Sequence, residues 1–173
     1  MALAGTARAL TRAQVLLLVL LVLAVAGCVV AAAVLAGRWQ DARAEEQRRQ
    51  DILQAARQQG VNITTLDHRT VEKDLDRVLA LSTGSFRKEF VAGTKELTDL
   101  VVANQATSTG EVLEAGIVTS DADSARVLVV ADSEVSNSSA EELPTRHYRM
   151  QLDLVRRGDR WLTSDLQFVE LGS

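Results

Sequence analysis

From Val15 to Ala36 the chain carries no charge, no amide and no proline. Coiled as a helix, that run is about 33 Å long at about 1.5 Å per residue, enough for a bilayer core of about 30 Å. Backbone groups in hydrocarbon must pair within their own segment, and one continuous helix does this. A soluble helix would expose one polar face over such a length; this run has none. The run predicts a membrane-inserted segment at residues 15–37, with a short tail at 1–14 before it.

Whether the segment is kept is a separate question. Arg8 and Arg12 ahead of an apolar run also describe a signal peptide. Val25-Ala26-Gly27-Cys28 resembles a bacterial lipobox, in which cleavage precedes a lipidated cysteine. A lipoprotein turns polar after that cysteine, whereas residues 29–36 stay apolar. The favoured reading is a retained single-pass anchor in which Cys28 is a small apolar residue. The tail carries basic residues and no acid, but Arg38, Arg43, Arg48 and Arg49 follow the span. A basic-residue count therefore does not decide orientation. Large domains cross with little regard to charge. The expected placement is tail inside and domain outside the inner membrane.

Net charge excludes one class of partner. The chain is at −4, and Arg8 and Arg12 are the charges before residue 38, so the remainder stands near −6. A nucleic-acid binder needs a basic phosphate footprint, and none is present. One cysteine makes no internal disulfide.

Residues 38–50 (RWQDARAEEQRRQ) are polar helix formers, read as a helical stalk with Trp39 at headgroup level. Residues 51–173 then supply one core. Residues 51–59 place Ile52, Leu53 and Ala56 on one side, with Gly60 read as the helix end. A second helix is predicted over 70–81, with Val71, Leu75, Val78 and Leu79 as its stripe and Thr70 or Asp67 as N-cap. A third is predicted over 85–103, carrying Phe86, Phe90, Leu97, Leu100 and Val101. After Gly110 the period becomes two. Strands are predicted over 112–119 and 125–132, joined by Ser120-Asp121-Ala122-Asp123. A long mobile loop is predicted over 133–145. A third strand shows Tyr148, Met150, Leu152 and Leu154 on one face. A fourth holds Trp161, Leu162, Leu166 and Phe168, with an irregularity near Ser164-Asp165. The expected fold is α+β: about three helices on an antiparallel sheet of about four strands.

This order resembles the Mce-associated membrane proteins of actinobacteria. The stretches that carry the likeness are Ile52-Leu53-Gln54-Ala55-Ala56-Arg57-Gln58, Val61-Asn62-Ile63-Thr64-Thr65-Leu66-Asp67 and Arg77-Val78-Leu79-Ala80-Leu81-Ser82-Thr83-Gly84-Ser85-Phe86. Tyr148-Arg149-Met150 and Gly158-Asp159-Arg160-Trp161-Leu162 extend it. The resemblance implies a nuclear-transport-factor-2-like cone on its anchor. It also implies an accessory or stabilising role in Mce-type lipid and sterol transport complexes of the envelope, with Mce proteins as partners and lipid contact open. It carries over no catalytic residue. The scaffold of type IV secretion systems has a similar anchor-plus-cone plan, so a scaffold of another envelope assembly is the alternative.

Cones of this shape also include isomerases and dehydratases that use acids or His–Asp pairs in the concavity. The residues to weigh are Asp67, His68, His147 and Asp165. Asp67 and His68 are adjacent at a helix start, where neighbouring side chains point apart and an aspartate caps. His147 alternates away from the Tyr148 face. Asp165 reaches the cone interior only if its strand is regular; a bulge is the favoured reading. Two histidines and one cysteine form no metal-ligand spacing, and no phosphate loop or serine elbow is present. The reading is a non-enzyme with no catalytic, cofactor or metal site.

Overall fold

The computed structural model describes residues 12–138 and 145–169. The tail before residue 12 and residues 139–144 lie outside the described residues. Of the loop expected over 133–145, residues 133–136 are instead the end of a strand that runs Ser124–Ser136, paired with residues 107–110. The chain divides into two units, Met1–Glu46 and Gln47–Ser173.

The first unit is described as helix: α1 is assigned from Arg12 to Thr64. The expected span falls in this helix, but the side chains of Val15, Leu17, Leu18, Val19, Val22, Ala24 and Ala31 lie outside those described. Among the described residues no helix is long and apolar enough to cross a membrane.

The second unit is α+β. After α1 come β1 (Leu66–Asp67), α2 (Val71–Ala80), α3 (Gly84–Ala103), β2 (Thr107–Ser120), β3 (Ser124–Ser136), β4 (Arg146–Arg157) and β5 (Arg160–Phe168). The five strands form one curled antiparallel sheet in chain order. The four long strands are those expected from the period-two pattern. Strand β1 is an addition: two residues pairing with Thr107 and Ser108.

Alternation sets the sheet's two faces. Val127, Val129 and Ala131 of β3 and Met150, Leu152 and Leu154 of β4 are buried on one face. Ile52 and Ala56 of α1 pack on them, with Ala115 of β2 and Trp161 of β5. The helix thus fills the concave side. A smaller cluster joins Val71 and Leu75 of α2 to Val101 of α3, under Phe90 and Leu97. Leu152 is fully buried, so Leu152→Ala is expected to remove about 2–5 kcal/mol of unfolding free energy. Denaturant titration checks this; a change below about 1 kcal/mol would contradict its place in the core.

Two glycines differ from their expected roles. Gly60 does not end α1, which continues to Thr64. It sits where the helix touches the sheet: a Cβ there would be 2.9 Å from Val112 Cγ2 and 3.1 Å from Val129 Cγ1. Gly110 does not precede β2 but lies within it. A Cβ there would fall 1.8 Å from Thr64 Oγ1 and 2.5 Å from Thr64 Cβ. Both glycines serve close approach rather than chain termination.

The expected irregularity in β5 is present. Asp153 pairs with Asp165 but Leu154 pairs with Thr163, leaving Ser164 as the extra residue of a bulge. Its hydroxyl donates to the Asp153 carbonyl at 2.9 Å.

Candidate functional site

The residues weighed for chemistry do not meet in one place. Asp67 lies in β1, where Arg69 donates to both carboxylate oxygens through its guanidinium and to Oδ1 through its N–H at 2.9 Å. The Arg69 hydrogen bonds hold the Asp67 carboxyl far below the usual carboxylate range. Asp67 is therefore an ion-pair partner rather than a helix cap. Its neighbour His68 places Nδ1 3.6 Å from Asp67 Oδ1, too far for a hydrogen bond. Arg69→Ala should move the Asp67 titration upward, toward the ordinary value near 3.9. Carboxyl carbon NMR across pH 2–6 reads this, and an unmoved titration would contradict the pairing. The sign follows from the depression: the pair's contribution is present above the unfolded-state pKa and fades as pH falls toward the folded-state value.

Thr70 stands at the N-cap position of α2, but its side chain makes no capping bond. Its hydroxyl instead donates to Asp74, at 3.2 and 3.3 Å from the two oxygens. Asp74 also accepts from the Asp67 N–H at 2.9 Å and pairs with Arg77 at 2.7 Å. It is only 2% exposed. The sequence reading missed this buried carboxylate. The signal was available in Thr70-x-x-x-Asp74-x-x-Arg77, where i+3 and i+4 partners share a helix face.

The bulge at Ser164 decides the fate of Asp165. Trp161 and Thr163 face the core; one extra residue then inverts the alternation. Leu166 therefore turns inward beside Leu152, and Asp165 turns to the outer face beside Asp153. There it accepts from Gln167 Nε2 at 3.1 Å. Arg126 grips Asp153 with two bonds of 2.7 and 2.8 Å, and these hold the Asp153 carboxyl below its usual range.

His147 is exposed on that same outer face, as alternation predicts, with Nδ1 2.7 Å from Asp132 Oδ1. The two residues are directly opposite across β3 and β4. Sequence reasoning did not find Asp132, because cross-strand register is not readable from either strand alone. This His–Asp pair lies on the side away from the core.

The buried polar groups hold elements together. Gln59, fully buried in α1, donates to Ser82 Oγ at 3.1 Å. Ser82 donates to the Val78 carbonyl at 2.6 Å and forms a parallel bridge with Thr163 of β5. Gly84 follows in the left-handed region, at φ 59°, with a Cβ position 3.0 Å from the Ser164 carbonyl oxygen. The described clefts are open. One of about 460 Å³ lies around His68, Arg69, Glu72 and Thr98, and one of about 430 Å³ between α2 and α3. A third, of about 320 Å³, lies among Gln54, Gln58, Asp159 and Trp161. Among the described residues no group of three or more His, Cys, Asp or Glu could hold a metal ion.

Solved structures share this fold. An IcmL-like type IV secretion system protein from Legionella pneumophila matches with a TM-score of 0.58 at 12% identity, over 72% of this chain and 94% of its own. The periplasmic domain of DotI matches with a TM-score of 0.59 at 14% identity, over 69% and 94%. At such identities the likeness is one of fold. In sequence, the chain is 32% identical over 133 residues to the uncharacterised protein Rv1363c of Mycobacterium tuberculosis, covering 76% of this chain. It spans about half, 51%, of that relative's length. The model of the uncharacterised Rv1363c/MT1408-like proteins matches residues 13–170, and the chain belongs to that family.

Proposed function

We propose that this protein is a membrane-tethered, non-catalytic subunit of a multi-protein envelope assembly. The observation that carries the reading is the filled concavity. Where a cone enzyme would place its reacting acids, Ile52 and Ala56 of α1 pack against Met150, Leu152 and Leu154. The weighed residues Asp165 and His147 stand on the opposite face. A domain of this kind offers surfaces rather than a chamber, and surfaces are what a scaffold uses.

The tether is part of the proposal. In α1 the described side chains of Leu16, Leu20, Leu23, Val29 and Val30 are each more than 60% exposed. So large an apolar surface is unfavourable in water and favourable in lipid. We place the span at 15–37, the tail inside and the α+β domain outside the cell membrane. The full-length protein should keep an unprocessed N-terminus in the membrane fraction; a mature chain starting at a lipidated Cys28 would overturn this.

For the assembly itself, the resemblance of residues 52–58, 61–67 and 77–86 to Mce-associated membrane proteins favours an Mce-type lipid and sterol transporter. The fold shared with type IV secretion components supports the broader scaffold reading equally well. Purification of the tagged full-length protein from native membranes in mild detergent discriminates them. Co-purifying Mce permease and substrate-binding proteins are the expected result. Their absence beside components of another envelope machine would move the protein to that machine.

A further inference from the structure

Strand β2 has a neighbour along only part of one edge. It spans Thr107–Ser120, yet β1 pairs with Thr107 and Ser108 alone. The Gly110 N–H is taken by Thr65 Oγ1 at 3.0 Å. Beyond it, among the described residues, no strand covers that edge. An uncovered strand edge is a template for pairing with another chain, and proteins ordinarily blunt such edges.

The side chains along this edge are of two kinds. At the register shifts Leu113 and Val118 are the extra residues, 55% and 52% exposed. Gly116 lies between them, where an added Cβ would touch nothing within 4 Å. The rest is acidic. Glu111 sits directly opposite Asp132, and Glu134 follows two residues along β3 on the same face. Like charges directly opposite each other destabilise a sheet; on its other side Asp132 meets His147 Nδ1 at 2.7 Å, which leaves Glu111 as the acid facing the edge. Glu114, also exposed, has Arg57 at 3.6 Å and accepts from the Ala115 N–H at 2.9 Å, a bond an incoming strand would have to replace.

We propose that the edge of β2 from Thr109 to Ser120 accepts a short extended strand from a partner protein. That strand carries lysine or arginine at alternating positions over Glu111 and Glu114, and apolar residues over Leu113 and Val118. The added backbone pairs with the edge, and its cations meet Glu111 and Glu114. Charge also argues against a second copy in this place. Residues 107–120 hold two glutamates and no basic residue, so antiparallel pairing of β2 with itself would double the acids and bring no cation from the added strand. The two bulges bend the strand and restrict a long flat pairing further.

The proposal rests on the scaffold reading only in taking a protein as the occupant. The test uses the full-length protein in its own cells, with a photo-crosslinking benzoylphenylalanine at Leu113 or Val118 and, as control, at the exposed Leu100 of α3. Illumination should give adducts from both edge positions. Sequencing of the joined peptide should show lysine or arginine within two positions of an apolar residue. Glu111→Lys with Glu114→Lys should lower adduct yield at least tenfold while abundance is unchanged. The proposal is overturned by no adduct at either edge position, by an adduct of two copies, by an acidic joined segment, or by indifference to charge reversal. Should transporter proteins co-purify while no edge adduct forms, the edge proposal falls and the scaffold reading stands.

Discussion

Replacing Asp74 by alanine is expected to cost about 3–5 kcal/mol of unfolding free energy, a fall in Tm of roughly 10–20 °C for a domain of this size. The partners explain the size. Arg77 is 44% exposed in its side chain, and water can replace much of what it loses; an exposed pair contributes only about 0–1 kcal/mol. The Asp67 N–H and the Thr70 hydroxyl are different, because both converge on a carboxylate that is nearly out of solvent. Removing the acceptor leaves part-buried donors unmet, at about 1–3 kcal/mol each. Arg77→Ala should therefore cost much less than Asp74→Ala, and Asp74→Asn should fall between. Trp161 fluorescence of the full-length protein during denaturation, on a Trp39→Phe background, measures all three. An Asp74→Ala change below about 1 kcal/mol would show that these bonds do not hold β1 to α2.

The second large effect belongs to Gly110. Any side chain here must enter space held by Thr64, whose Cβ and backbone carbon lie 2.5 and 3.0 Å from the added atom. Rotating Thr64 does not help, because the Cβ itself is in the way, and Thr64 Oγ1 is already bonded to the Gly60 carbonyl at 2.8 Å. Gly110→Val is expected to cost at least about 3 kcal/mol, the upper end of overpacking. Pairing Gly110→Ala with Thr64→Gly should recover most of the loss, whereas pairing it with Thr64→Ala should recover only part. Gly116→Ala is the internal control. With nothing within 4 Å of the new atom, it should stay within about 0.5 kcal/mol of the parent.

These glycines show where a linear reading stops. Gly60 and Gly110 look like breaks, because nothing nearby in sequence distinguishes a terminating glycine from one pressed against a distant element. The contacts join α1 to β2 and, for Gly60, also to β3, so the reason for each glycine lies roughly fifty to seventy residues away. Facing, by contrast, was readable wherever one face is dry. Met150, Leu152 and Leu154 alternate with polar residues, and the structure buries all three. The Ser164 irregularity was readable too, because Trp161 and Leu166 cannot both face the core at strict alternation. The candidate residues were less legible. Asp74 was hidden inside a helical stripe, Asp132 depended on β3–β4 register, and the uncovered edge of β2 depended on how short β1 is.

The connection between α1 and the sheet has a consequence for how the chain is made. Neighbouring strands from β2 to β5 pair in order, so each hairpin can close as soon as its second strand emerges. Ile52 and Ala56 must wait for Met150, Leu152 and Leu154, about a hundred residues later. At about 5–20 residues per second, that wait is on the order of 5–20 s. For that interval the core stripe of α1 is covered at most in part, by β2 and β3 as they emerge. The segment most exposed to misassembly during synthesis is thus the one made early and buried last.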